Sequence, residues 1–82
     1  MCIRDRIRNE IQLYLENQPN VVRVLNLWAI NHGNNVMVAV KAALKPDMAV
    51  REAVIEINEM ERQIKQAHAR VKWIFFEIDD AD

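Results

Sequence analysis

The chain of 82 residues has one glycine, two prolines, one cysteine and almost no net charge. Each shortage excludes something. With Gly33 alone available, no glycine-rich loop can cradle a phosphate. Cys2 has no second cysteine to pair with inside the chain, which fits a reducing compartment. Eleven Lys and Arg stand against twelve Asp and Glu, for a formal charge of −1 and a pI near 6.1. That balance carries neither a basic footprint for nucleic acid nor an acidic tract for cations. No apolar run approaches the ~18 residues of a membrane span, and no charged-then-apolar leader opens the chain, so it reads as soluble. Catalysis is not expected either, since no nucleophile sits beside a base and no His/carboxylate pair has a workable spacing.

What the chain does have is apolar surface, 51% of its residues, in a domain too small to hide much of it alone. The clearest case is Val71-Lys72-Trp73-Ile74-Phe75-Phe76-Glu77-Ile78. Side chains alternate along a strand, so Ile74, Phe76 and Ile78 point one way and Val71, Trp73 and Phe75 the other. Both faces are apolar and both need a cover. Helices of the same chain can supply one; a second copy is the simplest source of the other.

The remaining elements follow from periodicity. Ile7, Ile11, Tyr14 and Leu15 recur at helical spacing, and Pro19-Asn20 ends that helix. Val21 to Ile30 and Val36 to Leu44 read as strands joined by the turn cluster Asn31 to Asn35, a hairpin. In the second strand Val36, Val38, Val40 and Ala42 share one face, with Met37, Ala39, Lys41 and Ala43 on the other. Lys45-Pro46-Asp47 breaks this strand, with Asp47 placed to cap a helix whose stripe is Val50, Ala53, Val54, Ile57, Met60, Ile64 and Ala67. Its outer side, including a Glu61/Lys65 pair, reads as solvated. The first six residues, Met1 to Arg6, can be encoded by ATGTGTATAAGAGACAG plus one base, a stretch that matches the end of a transposase adapter used in sequencing libraries. They read as a scar rather than as an ordinary helix start, which would leave a domain at 7–79 and a polar tail at 80–82 of a longer natural chain.

A strand–helix–strand unit in one sheet is right-handed with parallel strands, so the expected architecture is α+β: an αββαβ two-layer domain. Three strands form a mixed sheet, two helices cover one face, and Met37, Ala39, Trp73 and Phe75 lie on the other.

The succession Val22 to Leu27, His32-Gly33-Asn34-Asn35-Val36-Met37-Val38-Ala39-Val40-Lys41, the helical Ile57, Glu61 and Ile64, and the closing Phe75-Phe76-Glu77-Ile78-Asp79 resembles the C-terminal cytoplasmic domain of cation diffusion facilitator transporters. That resemblance covers Ile7 to Asp79. It implies a metallochaperone-like domain, related to the ferredoxin-like fold, that homodimerises on the cytoplasmic side of a membrane and regulates a divalent-cation, zinc-type efflux transporter. The transmembrane part, and with it the transport site, is absent from this stretch. The implied dimer interface is Leu25, Met37, Ala39, Lys41, Trp73, Phe75 and Glu77. The resemblance implies that relatives hold zinc through histidines and an aspartate on the open sheet face and the facing helix, but the matching positions here are Leu25 and Lys41 on the strands and Val54 on the helix, with Glu77-Ile78-Asp79 in place of His-x-Asp.

Two carboxylates without an imidazole make a poor zinc site, and Lys41 is set to pair with Glu77 instead. Glu77, Asp79, His32 and His68 remain the weak metal candidates, and no cofactor is expected. Trp28, Trp73, Phe75 and Phe76 lack the surrounding cations of a base-stacking surface, so nucleic acid is not an expected partner. The alternative is a free-standing ligand-binding or metallochaperone-like domain with a pocket of Leu25, Met37, Lys41, Trp73 and Glu77.

Overall fold

The computed structural model describes residues 3–79. The elements run α1 (Ile3–Glu16), β1 (Val21–His32), β2 (Asn35–Leu44), α2 (Val50–Ala67) and β3 (Val71–Asp79). The strand order is β1-β2-β3, with β1 antiparallel and β3 parallel to β2. This is the expected αββαβ arrangement, with β2 in the middle because the hairpin and the right-handed crossover each add a strand to it.

The core lies between the helices and one face of the sheet. Ile7, Ile11 and Leu15 of α1 and Met60 and Ile64 of α2 are buried against Val21, Leu27, Val36, Val38, Val40, Ala42, Leu44 and Val71. On the central strand the alternation is plain: Val36, Val38, Val40 and Ala42 are buried, while Met37, Ala39 and Lys41 are half-buried.

Several local expectations need correction. The helix α1 starts at Ile3, a turn before Ile7, so Ile3 to Arg6 of the segment read as a scar continue the helix. Met1, Cys2 and the 80–82 tail lie outside the described residues. The hairpin loop is shorter than the five-residue cluster: His32 already pairs with Asn35, leaving Gly33-Asn34 as a two-residue turn. Gly33 takes φ +65, the left-handed region this turn needs at its first central position. Asp47 does not cap α2. It sits after Pro46 in the turn that Met48 N–H closes on the Lys45 carbonyl at 3.4 Å, and Ala49 occupies the capping position with no side-chain bond. Pro46 fixes the turn and uses up Asp47 there.

The stripe of α2 is also narrower than its sequence. Ala53, Ile57, Met60 and Ile64 form one line on the sheet, whereas Val50 and Val54 fall to its side, 82% and 50% exposed, and Ala67 is exposed at the end. Only the turns lying over the sheet find apolar neighbours, so three apolar positions of the stripe are left in water. On the outer face Arg62 reaches back to Glu59, which also accepts from Gln63; among the described residues this pairing stands where Glu61/Lys65 was expected. Those bonds hold the Glu59 carboxyl below the usual range and the Arg62 guanidinium above it.

Candidate interaction face

Register slips decide which residues reach the uncovered side of the sheet. Val36 pairs with Val71, but Met37 pairs with Trp73, so Lys72 is an extra residue in β3. The slip lets Val71 turn into the core, 2% exposed, while Trp73 faces out. The expectation that Val71 shares a face with Trp73 is therefore corrected. In β1 two slips, between Val21 and Arg23 and between Val24 and Asn26, do the same work. Leu25 falls in the second slip, outside the paired register, half-buried and lining a hollow with Arg8 and Gln12 of α1. Asn26, not Leu25, stands beside Lys41 on the open face.

Beyond the slips the open face is regular. Reading across β1, β2 and β3, its rows are Ile30–Met37–Trp73, Trp28–Ala39–Phe75, Asn26–Lys41–Glu77 and Arg23–Ala43–Asp79. The first two rows are apolar and wet: Trp28 is 52% exposed, Phe75 59%, Ile30 47% and Trp73 40%. The last two rows carry the charges. A shallow hollow of about 470 Å³ runs from Trp28, Ala39 and Phe75 to Asn26, Lys41 and Glu77 without a break. So Met37, Ala39, Lys41, Trp73, Phe75 and Glu77 do come together, as the sequence indicated, while Trp28 and Ile30 were missed. Counting back from the hairpin turn by twos would have found them, because no slip intervenes between Ile30 and Asn26.

At the charged end Lys41 Nζ lies 3.2 Å from Asp79 Oδ2 and 3.9 Å from Glu77 Oε2. The ammonium thus sits between two carboxylates from the neighbouring parallel strand, the cross-strand pairing expected for Lys41 and Glu77 with Asp79 added. In the free chain all three side chains touch water, and such a pair contributes only ~0–1 kcal/mol.

The histidines are elsewhere. His32 tilts against Trp73, ring centroids 5.2 Å apart, at the far end of the face. From residue 26 to residue 32 is roughly 20 Å at about 3.3 Å per strand residue, too far to share a ligand with Glu77. His68 ends α2, on the helix side. Its backbone N–H donates to the Ile64 carbonyl at 2.9 Å and its Nε2 lies 3.9 Å from Glu10 Oε1 of α1. Val54 is on α2 as well, exposed and off the open face. Among the described residues no group of three or more His, Cys, Asp or Glu side chains converges as a set of metal ligands. The donor chemistry on the open face does not fit zinc, because among the described residues the Lys41 ammonium lies within ion-pair distance of both Glu77 and Asp79 and no imidazole joins them.

The two-layer αββαβ fold and its uncovered face match a known class. A family model described as the cytoplasmic domain of cation efflux proteins matches residues 3–80. The chain belongs to that family, a family of transporter domains rather than of enzymes. Among solved structures, a MamM CTD in a nickel form is 17% identical with a TM-score of 0.84, covering 95% of this chain and 99% of the other. A cadmium form of the MamM CTD is 17% identical at the same TM-score, with 95% and 98% covered. A further MamM CTD is 18% identical with a TM-score of 0.83, again over 95% and 98%. At this identity the likeness is one of fold. No curated protein matches the chain. No helix of the described residues is long and apolar enough to cross a membrane.

Proposed function

We propose that this domain is the homodimerising and regulatory module of a divalent-cation efflux transporter, and that two copies meet through the open sheet face. The observation that carries the reading is the pair of apolar rows, Ile30–Met37–Trp73 and Trp28–Ala39–Phe75, left wet on the face opposite the helices. An apolar patch of this continuity on a small domain marks association. The family's model is named for a dimer, which supports a second copy as the partner. In the intact transporter such a pair would hold two membrane units in register, with α1 as the element that receives the chain from upstream.

The test is light scattering after size exclusion. The domain should run at twice its chain mass at micromolar concentration, and Trp73→Glu or Phe75→Glu should give a monomer with unchanged helix content, since neither ring is part of the core. Burying each large aromatic contributes roughly 1.5–3 kcal/mol, so losing two symmetry-related rings removes a large share of the ~8 kcal/mol that holds a micromolar dimer. A concentration-independent monomer in the unmodified chain would sink the reading.

A further inference from the structure

The charged end of the open face is continuous with its apolar end, sharing one hollow from Trp28 and Phe75 to Lys41 and Glu77. Closing a second copy over the apolar rows therefore brings the Asn26–Lys41–Glu77 row under cover or to its rim. Two carboxylates entering such a contact need a cation, because an uncompensated charge removed from water is costly. MamM CTDs have been solved in nickel, cadmium and copper forms. In this chain the cation is already there. Lys41 projects from the central strand, its side chain one-third exposed, with Nζ within 3.2 Å of Asp79 and 3.9 Å of Glu77.

We propose that the Lys41 ammonium is the resident countercharge of the interface, so that the two copies associate without a divalent cation and their packing does not respond to one. The inference rests on the interface reading above. A side-chain cation differs from a metal in a way that matters for regulation. It cannot dissociate, so no metal concentration exists at which this end of the face is left doubly negative. Asn26, on the other side of Lys41 in the same row, is neutral and adds no charge to balance. With Arg23 and Asp79 flanking Ala43 in the next row, this end of the face carries two basic and two acidic side chains among the described residues.

Sedimentation equilibrium of the chain in chelator, and again with zinc after the chelator is removed, tests this. The dimer dissociation constant of the unmodified chain should agree between the two conditions within about threefold, a small step on the scale where tenfold is ~1.4 kcal/mol. Lys41→Met in chelator should weaken association by at least about tenfold, as expected when one partner of a covered charge set is removed. Adding Glu77→Gln and Asp79→Asn to Lys41→Met should bring it back to within about threefold of the unmodified chain, since the burden was the unbalanced charge and not the lost stem. A tenfold tightening of the unmodified dimer by zinc, full association of Lys41→Met in chelator, or no recovery in the triple variant would each overturn the proposal. If the unmodified chain is a monomer at every concentration, the interface reading fails and the countercharge of that interface fails with it, whereas a dimer that zinc tightens tenfold refutes the countercharge alone. Stoichiometric submicromolar zinc binding that disappears in Glu77→Ala would refute it in either case.

Discussion

The two faces of the sheet are built from alternate residues of the same strands, yet they differ in kind. On β2 the helix-facing set is Val36, Val38, Val40 and Ala42, small and β-branched, all at most 3% exposed. The set one residue out of phase is Met37, Ala39 and Lys41, flanked by tryptophans and phenylalanine in the neighbouring strands. The first face is closed by Ile7, Ile11, Leu15, Met60 and Ile64 and fixes the fold. The second is finished to a different standard, with large flat rings and long polar tips that suit a contact made after folding. Stability and association are thereby assigned to opposite sides of one layer.

The sharpest way to break that division is a charge on each side. Ile64→Asp, at a site 3% exposed beneath the sheet, should unfold the domain outright, while Val54→Asp nearly three turns earlier on the same helix should leave its circular dichroism intact. Equal damage from both would mean that α2 is rotated from the orientation described. A milder comparison uses truncation. Leu15→Ala should cost ~2–5 kcal/mol in denaturant titration at any protein concentration. Phe75→Ala should lower the melting temperature only where the unmodified chain is associated, so its effect should vanish on dilution.

The smallest expected effect is at alkaline pH. Burial raises the Tyr14 phenol above its ordinary value, with the carboxylates of Glu59 and Glu56 adding to the shift. A group whose folded pKa exceeds its unfolded one contributes stability that is intact below the unfolded value, near 10. That contribution is lost as pH rises through the folded value. Tyr14→Phe should flatten the fall in melting temperature above pH ~10 and change nothing near neutrality. An unchanged alkaline slope would show that Tyr14 ionises as freely in the folded chain as in the unfolded one.

The order of elements and the double-sided character of β2 and β3 were legible because they rest on periods of 2 and 3.6 that no neighbour disturbs. Pro46 and the hairpin cluster marked the breaks for local reasons of φ and turn chemistry. What was not legible came from register. Three slips, two in β1 and one in β3, move Leu25 out of the row assigned to it and turn Val71 inward. A slip has no side-chain signature of its own; it is settled by which partner strand has room. Likewise Val50, Val54 and Ala67 carry a helical stripe in sequence, but only the sheet beneath α2 decides how many turns of it are covered. At the candidate site, the Lys41 and Glu77 pairing was readable from parallel alignment, while the approach of Asp79 depended on where Lys41 leans.

The extra residue at Lys72 also makes chain length a variable in this fold. Val71 is tied by its pairing to Val36, and from Trp73 onward each residue has its own partner on β2. Removing Lys72 would join an inward Val71 directly to an outward Trp73, which is the ordinary alternation of a strand. The domain thus has one position in β3 where a codon can be lost with both faces preserved. A loss anywhere from Ile74 to Glu77 exchanges core and surface for every residue between it and the strand's end. Related domains with a β3 shorter by one residue at this point would be expected to keep both faces, and the boundary between tolerated and forbidden deletions should fall between Lys72 and Ile74.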